Sequence, residues 1–196
     1  MPRHVVGLTG RKRSGKDTFA ARLISEHGFT RVSLADPLRE LALAINPWVR
    51  VEVDEVGLFY PGGLTFHLQH AHLRLAPIVA GLGWERAKEI REVRRLLQVI
   101  GTDGVRGVIG DDTWIKLAER TIDRIPGNVV VTDVRFPNEA DVVETVVRII
   151  RPGLPGGDLH ASETAMDDYP VDVEVRNDGT LAELHNEADN FVYLLS

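Results

Sequence analysis

Two glycines and a lysine near the start of the chain have the spacing of a loop that binds phosphate. In the stretch Gly10-Arg11-Lys12-Arg13-Ser14-Gly15-Lys16, four residues separate the glycines and the lysine follows directly. Glycines let the backbone curl so that successive N–H groups point inward at an anion, and the lysine adds a mobile positive charge. The stretch therefore predicts binding of a phosphorylated ligand through Gly10, Arg13, Ser14, Gly15 and Lys16.

The segments that flank this loop support the interpretation. His4-Val5-Val6-Gly7-Leu8 is typical of a short buried strand, and Phe19, Ala20, Leu23 and Ile24 recur at helical spacing. The N-terminus of a helix adds partial positive charge next to the loop. A glycine-rich turn that merely joins strand and helix is the alternative, and the order of strand, loop, lysine and helix favours a phosphate site.

The residues after the lysine depart from the usual pattern of such loops. A serine or threonine hydroxyl normally follows the lysine and helps to hold magnesium, but here Asp17 takes that place and Thr18 comes next. Two arrangements remain open: Asp17 approaches the metal through water, or Thr18 supplies the hydroxyl. Asp17 and Thr18 are therefore both predicted near a metal ion.

The composition indicates a globular protein of one domain. The chain has 196 residues, of which 43% are hydrophobic and 27% charged, and it has no cysteine. We find no apolar run long enough for a membrane span and no signal-peptide pattern, and the lack of cysteine suits a reducing cytoplasm. A net charge of −6 argues against general nucleic-acid binding. The positive loop on an acidic protein fits a small phosphorylated ligand.

Strand and helix patterns alternate along the chain. Helices are predicted from Pro37, over residues 85–100, from Pro137 with Val142, Val143 and Val146 inward, and from Thr180. Between them lie strands over residues 4–8, 29–35, 128–132, 147–150 and 171–175. Gly101-Thr102-Asp103-Gly104 is predicted to end the helix over residues 85–100. Such alternation predicts a parallel sheet with helices on both faces, and ligands of such sheets bind at the carboxyl ends of the strands. The residues at or just after those ends are Gly10, Asp36, Asp133, Arg135 and Arg151.

Two segments do not fit the alternation. Residues 48–84 are irregular and are interpreted as an insertion over a ligand site, with a surface excursion as the alternative. Residues 151–170 are rich in Gly and Pro and are predicted to form a mobile flap. His67, His70 and His72 raise the question of a metal site, but a solvated loop rich in histidine is favoured.

Four stretches together resemble a known family. They are Gly10 to Thr18, Ala35-Asp36-Pro37-Leu38, Arg95-Leu96-Leu97-Gln98 leading to Gly101-Thr102-Asp103, and Thr132 to Glu139, with a fifth at His160-Ala161-Ser162-Glu163. Their combination resembles the deoxynucleoside monophosphate kinases of tailed bacteriophages, within the nucleoside monophosphate kinases. The resemblance implies an α/β P-loop fold of three layers, with a five-stranded parallel sheet. It also implies one kinase domain over residues 1–196, with an acceptor-binding insertion at about 48–84 and a lid-like flap at about 151–170.

The resemblance also implies roles for individual residues. Lys16 and magnesium would act on the phosphates of ATP, with Asp133 beside the magnesium. Arg135 would hold the acceptor phosphate and Arg151 would reach the transferring group. The remaining acceptor contacts would be Asp36, Arg95 and Gln98. Alternatives stay open: a salt bridge for Arg135, a helix-capping role for Asp133, and ordinary surface positions for the other three.

The predicted function is the ATP- and Mg²⁺-dependent phosphorylation of deoxynucleoside monophosphates to diphosphates, in the cytoplasm of a phage host. The predicted partners are these nucleotides, without nucleic acid or membrane, and the interpretation allows a homodimer. A kinase acting on another phosphorylated metabolite such as phosphomevalonate is one alternative. A P-loop ATPase or switch is the other, and the sequence has no Asn-Lys-x-Asp motif for guanine.

Overall fold

The computed structural model describes residues 3–52, 70–154 and 164–195. The chain divides into two compact units, one formed by Met1–Asp36 with Trp114–Ser196 and the other by Pro37–Thr113. The second unit is longer than the insertion expected at 48–84. The organisation as a single kinase domain with an insertion stays a prediction.

A five-stranded parallel sheet forms the centre of the first unit. Strand β1 (Val5–Thr9) lies between β5 (Val129–Val131) and β6 (Thr145–Ile150). The outer strands are β2 (Thr30–Val32), which pairs with β5, and β7 (Val173–Arg176), which pairs with β6. The order is thus β2-β5-β1-β6-β7, and the parallel sheet predicted from the alternating pattern is confirmed.

Helices cover both faces of this sheet. Helices α1 (Lys16–His27) and α7 (Leu181–Leu195) pack on one face, where the rings of Phe19 and Phe191 lie 5.9 Å apart. Helix α5 (Thr113–Asp123) packs on the other face through Ala118 and Ile122. The central strands β1 and β5 are buried along their whole length, which is why they are apolar without alternation.

The second unit has its own hydrophobic core. Helix α2 (Asp36–Ile45) leads into an antiparallel pair, β3 (Trp48–Glu52) and β4 (His70–Arg74). Helices α3 (Leu75–Ala87) and α4 (Arg91–Gln98) follow, then a π-helix over Val99–Ile109. Buried apolar side chains from the strands and helices form the core, among them Val49, Val51, Leu75, Ile90 and Val93. The segment 48–84, irregular in sequence, therefore contains two strands and most of a helix within its described part.

The helix predicted over residues 85–100 is wrong in two respects. Helix α3 ends at Ala87 and α4 begins at Arg91, with an additional kink at Gly83, whose φ is +71°. The predicted break at Gly101-Thr102-Asp103-Gly104 does not occur, because the π-helix runs through it. A Cβ at Gly101 would lie 2.9 Å from Leu38 Cδ2, so this glycine permits close packing instead of ending a helix.

The helix predicted from Pro137 is also shorter than expected. Helix α6 (Pro137–Ala140) has four residues, and Val146 lies in β6, which begins at Thr145. Valine is β-branched and fits a buried strand better than a helix.

Among the described helices, none is long and apolar enough to cross a membrane.

Candidate active site

The loop between β1 and α1 has the backbone conformation of an anion-binding turn. Gly10 and Gly15 have φ angles of +132° and +107°, and Arg13, between them, has a φ of +66°. A Cβ at Gly10 would lie 2.4 Å from the carbonyl oxygen of Ile149. Only glycine fits there, because both the φ angle and the neighbouring strand exclude a side chain.

Ser14 is the most informative side chain in this loop. It is 1% exposed, and within the described chain its Oγ atom has no hydrogen-bond partner. A buried hydroxyl normally has a partner, since leaving one unsatisfied is costly. Gly15 is the N-cap residue of α1, whose first N–H groups have no partner inside the helix. An orphaned hydroxyl beside amides that have no partner within the helix fits a bound phosphate group.

Lys16 and its neighbours lie at the start of α1. The Lys16 ammonium donates to the carbonyl oxygens of Gly10 and Arg11, the latter at 2.8 Å. Asp17 is exposed and Thr18 is half-buried, both in the first turn. Carboxylate and hydroxyl oxygens are ligands that Mg²⁺ accepts, so these two residues suit the predicted metal.

Asp133 follows β5 and cross-links it to the end of β2. Its carboxylate accepts hydrogen bonds from the Ser33 hydroxyl at 2.7 Å and from the N–H groups of Leu34 and Ala35 at 2.8 and 3.2 Å. These bonds hold residues 33–35 in a turn, which explains why β2 ends at Val32 instead of reaching Ala35. These bonds resemble those of the capping alternative, and the position of Asp133 beside magnesium stays a prediction.

Arg135 is exposed at the same edge of the sheet, just before α6. Its backbone N–H donates to Glu139 Oε2 at 2.8 Å, and the N–H of Phe136 donates to the same oxygen at 3.1 Å. Glu139 is 4% exposed. This buried carboxylate fixes the backbone from which the Arg135 side chain projects.

Arg151 and Arg148 differ in their surroundings. Arg151 directly follows β6 and is exposed, as expected for a residue at the start of the flap. Arg148 lies within β6, bonds Glu174 at 2.8 Å, and donates to the carbonyl oxygens of Met166 and Tyr169. Arg148 thus anchors the described C-terminal part of the segment predicted as a flap, whereas residues 155–163 lie outside the described residues.

Two of the three other predicted acceptor contacts, Asp36 and Arg95, have protein partners. Asp36 accepts from Arg31 at 3.0 Å. Arg95, on α4 in the second unit, donates two bonds to Glu92, at 2.8 and 2.7 Å. The hydrogen bonds from Arg95 are the main cause that lowers the pKa of Glu92, and the same pair raises the pKa of Arg95. Gln98 is exposed at the end of α4. The acceptor roles of these three residues stay predictions.

The structure adds residues that the sequence did not single out. Asp167 forms an ion pair with Arg11 of the loop at 2.9 Å, and Asn177 donates from its side chain to the carbonyl oxygen of Ser14 at 2.8 Å. Both bonds join residues more than 150 positions apart. The only available signal was the position of Asn177, directly after the last strand, where the other site residues also lie.

Two of the three histidines considered for a metal site, His70 and His72, lie in the described part of the chain. His70 and His72 are exposed on β4 with their rings 5.9 Å apart, and His67 lies outside the described residues. Across residues 3–52, 70–154 and 164–195, no group of three or more metal-ligating side chains is assembled.

A residue of the candidate site therefore follows each of the five strands of the parallel sheet. Gly10 follows β1, Ser33 follows β2, Asp133 follows β5, Arg151 follows β6 and Asn177 follows β7. Ligands of open parallel sheets bind at this edge. The arrangement can bind phosphate at the loop and offers separate cations, Arg135 and Arg151, for a second anion.

Comparisons with known proteins agree with this chemistry. A family model described as deoxynucleotide monophosphate kinase matches residues 80–188. A deoxynucleotide monophosphate kinase of Escherichia phage RB69 is 27% identical, over 96% of this chain and 99% of that protein. A putative deoxynucleotide monophosphate kinase of Acanthamoeba polyphaga mimivirus is also 27% identical, over 93% of each chain.

Among solved structures, TT1252 from Thermus thermophilus aligns over 100% of both chains with a TM-score of 0.53. Its sequence identity of 14% makes this a likeness of fold alone. The family model, in contrast, covers more than half of the present chain. The chain therefore belongs to the deoxynucleotide monophosphate kinase family.

Proposed function

We propose that the protein transfers the γ-phosphoryl group of ATP to the phosphate of a deoxynucleoside monophosphate, giving the diphosphate and ADP. The observation that carries the proposal is the loop between β1 and α1, with its positive φ angles and the buried, unpartnered hydroxyl of Ser14. Family membership supports the choice of a deoxynucleotide as acceptor.

In this proposal the loop binds the phosphates of ATP. Gly10, Arg13, Ser14 and Gly15 surround the anion with backbone N–H groups and one hydroxyl, and Lys16 supplies the charge. An ammonium has three donors, and in the present structure Lys16 donates to the carbonyl oxygens of Gly10 and Arg11. Phosphate oxygens would be stronger partners for Lys16, because both groups are then charged.

The acceptor needs positioning more than it needs a base. A phosphate monoester is already mostly dianionic near neutral pH, since its second pKa is about 6. Arg135 neutralises this phosphate and holds it for in-line attack, while Arg151 contacts the transferring group. The base and sugar are contacted by Asp36, Arg95 and Gln98. For this contact, Asp36 releases its bond to Arg31 and Arg95 releases its bond to Glu92.

Magnesium would be held beside the loop by Thr18 or Asp17, with Asp133 acting through water. When bound, the metal would neutralise negative charge on the phosphate groups. The three donors on Asp133 favour such an outer position, because a carboxylate has only about four acceptor sites. The proposal includes the cytoplasm of a host cell as the place of the reaction.

The proposal is tested by measuring ADP release with magnesium and ATP against a panel of acceptors. The panel contains the four common deoxynucleoside monophosphates, the matching ribonucleotides and phosphomevalonate, with a reaction that lacks any acceptor. We expect turnover with one or more deoxynucleotides and almost none without acceptor. Turnover with phosphomevalonate alone would leave the mechanism and overturn the substrate, and equal ATP hydrolysis without acceptor would replace the kinase with an ATPase.

A further inference from the structure

Asn177 connects the last strand of the sheet to the phosphate-binding loop. Its backbone N–H donates to the carbonyl oxygen of Ile150 at 2.7 Å, which fixes Asn177 beside the end of β6. Its side chain lies 2.8 Å from the carbonyl oxygen of Ser14. Because a carbonyl oxygen only accepts hydrogen bonds, the side-chain atom at this position is the amide nitrogen Nδ2.

The approach of Asn177 to the loop is close enough to require a glycine. A Cβ at Gly15 would lie 2.4 Å from Nδ2 of Asn177 and 3.1 Å from Leu184 Cδ2. No real Cβ sits so near another atom. The second glycine of the loop is therefore needed for contact with Asn177 as well as for its φ of +107°.

The contact determines the orientation of one peptide group. The peptide between Ser14 and Gly15 is trans, as are all those in the described chain, so its C=O and N–H groups point in opposite directions. With the Ser14 carbonyl turned toward Asn177, the Gly15 N–H is turned to the other side. The amides that follow belong to the first turn of α1, where N–H groups have no partner within the helix.

We propose that Asn177 is a positioning residue for the phosphates of ATP. It acts through the loop: its hydrogen bond holds the Ser14–Gly15 peptide, and the peptide directs the loop amides at the anion. The identity of the nucleotide rests on the proposed function, but the coupling of Asn177 to the loop does not. Loss of this bond should weaken nucleotide binding and leave the acceptor unaffected, because within the described residues the hydrogen bonds of Asn177 go to Ser14 and Ile150 and not to the segment that bears Arg135.

The experiment compares two variants with a neighbouring control. Asn177→Ala removes the donor, and Asn177→Asp keeps the shape but presents an oxygen to the Ser14 carbonyl. Asp178→Asn is the control, because Asp178 is in the same turn and, in the described part of the chain, has only an exposed ion pair with Arg176, at 3.4 Å. For each protein we would measure ADP binding by calorimetry, the KM values for ATP and for the deoxynucleotide acceptor, kcat, and the melting temperature.

We expect Asn177→Ala to weaken ADP binding and raise the KM for ATP about tenfold, the usual effect of losing one such hydrogen bond. Asn177→Asp should have a larger effect, since two acceptors then face each other. The KM for the acceptor and all values for Asp178→Asn should stay within about twofold of the wild type. Because Asn177→Asp preserves the volume, it also serves if Asn177→Ala does not fold.

Two results would overturn the inference. Either ADP binds both Asn177 variants as tightly as the wild type, or the KM values for ATP and acceptor rise together. Failure of the proposed function looks different: the wild type would then bind ADP but phosphorylate no deoxynucleotide. In that case, weakened ADP binding by Asn177→Ala would still support the positioning role.

Discussion

The hydroxyl of Ser14 is buried but, within the described chain, has no hydrogen-bond partner. Such a group costs stability in the empty protein and gains a partner only when a ligand arrives. Stability and binding should therefore respond to its removal in opposite directions.

We predict that Ser14→Ala leaves the melting temperature of the ligand-free protein unchanged or raises it, and weakens ADP binding about tenfold, as expected for one hydrogen bond to a charged group. Differential scanning fluorimetry and calorimetry measure the two effects. Ser25→Ala is the matched control, since Ser25 is exposed on α1 and bonds only its neighbour Glu26 in the described structure. Clear destabilisation by Ser14→Ala without loss of ADP affinity would contradict the assignment.

How well a site residue could be predicted depended on whether its partners are local. Gly10 to Thr18 form one contiguous motif, and Asp133 and Arg135 follow a run of valines that marks a buried strand. Asn177 was missed, because its bond to the backbone of Ser14 appears only once the sheet brings strand ends together. The bond between Glu139 and the Arg135 N–H is local, and Glu139 lies in the stretch from Thr132 that the sequence singled out.

At the scale of elements, one acidic side chain joins the two helices on the same face of the sheet. Asp189 of α7 accepts two bonds from Arg22 of α1, both at 2.9 Å, and contacts His27 Nε2 at 2.7 Å. The hydrogen bonds from Arg22 and then His27 hold the pKa of Asp189 far below its ordinary value of 3.8. Since α1 begins at the phosphate-binding loop, this link also supports the site.

The lowered pKa gives a pH dependence with a definite sign. The native state binds this proton less readily than the unfolded state, so the stabilisation is complete above about pH 4 and is lost as the pH falls toward the native pKa. Asp189→Asn should lower the urea midpoint at pH 7 and reduce the decline in stability between about pH 4 and pH 2. Glu187→Gln, an exposed change on the same helix, is the control. An unchanged acid dependence in Asp189→Asn would show that the link does not stabilise the fold.

The sequence predicted the type of an element correctly where its pattern had a single interpretation. The valines of β5 have no polar alternation and indicated a buried strand correctly. The last helix was predicted from Thr180, and the Glu183 carboxylate accepts from the Thr180 N–H and hydroxyl just before that helix. The glycine at 101 misled, because a glycine signals both a helix end and a close contact, and only the packing of Leu38 against Gly101 decides between the two.

At the scale of the whole molecule, the proposed enzyme must hold two anionic ligands through different cations. Lys16 follows β1 and Arg135 follows β5, and these strands are neighbours in the sheet. Each ligand that binds only the native state raises stability by mass action, by about 2.7 kcal/mol at a hundred times its Kd. For a chain of this length that corresponds to a rise in melting temperature of roughly 5–10 °C. The two ligands can therefore be followed separately by melting curves.

We predict that ADP stabilises the wild type and Arg135→Ala but not Lys16→Ala. A deoxynucleoside monophosphate that the wild type phosphorylates should stabilise Lys16→Ala but not Arg135→Ala. The reason is that each variant removes the charge that faces one ligand and leaves the other cation in place. Arg120→Ala, on the exposed surface of α5, should respond to both ligands like the wild type. If either site variant lost its response to both ligands, separate donor and acceptor subsites at Lys16 and Arg135 would be untenable, since one phosphate site would then account for both.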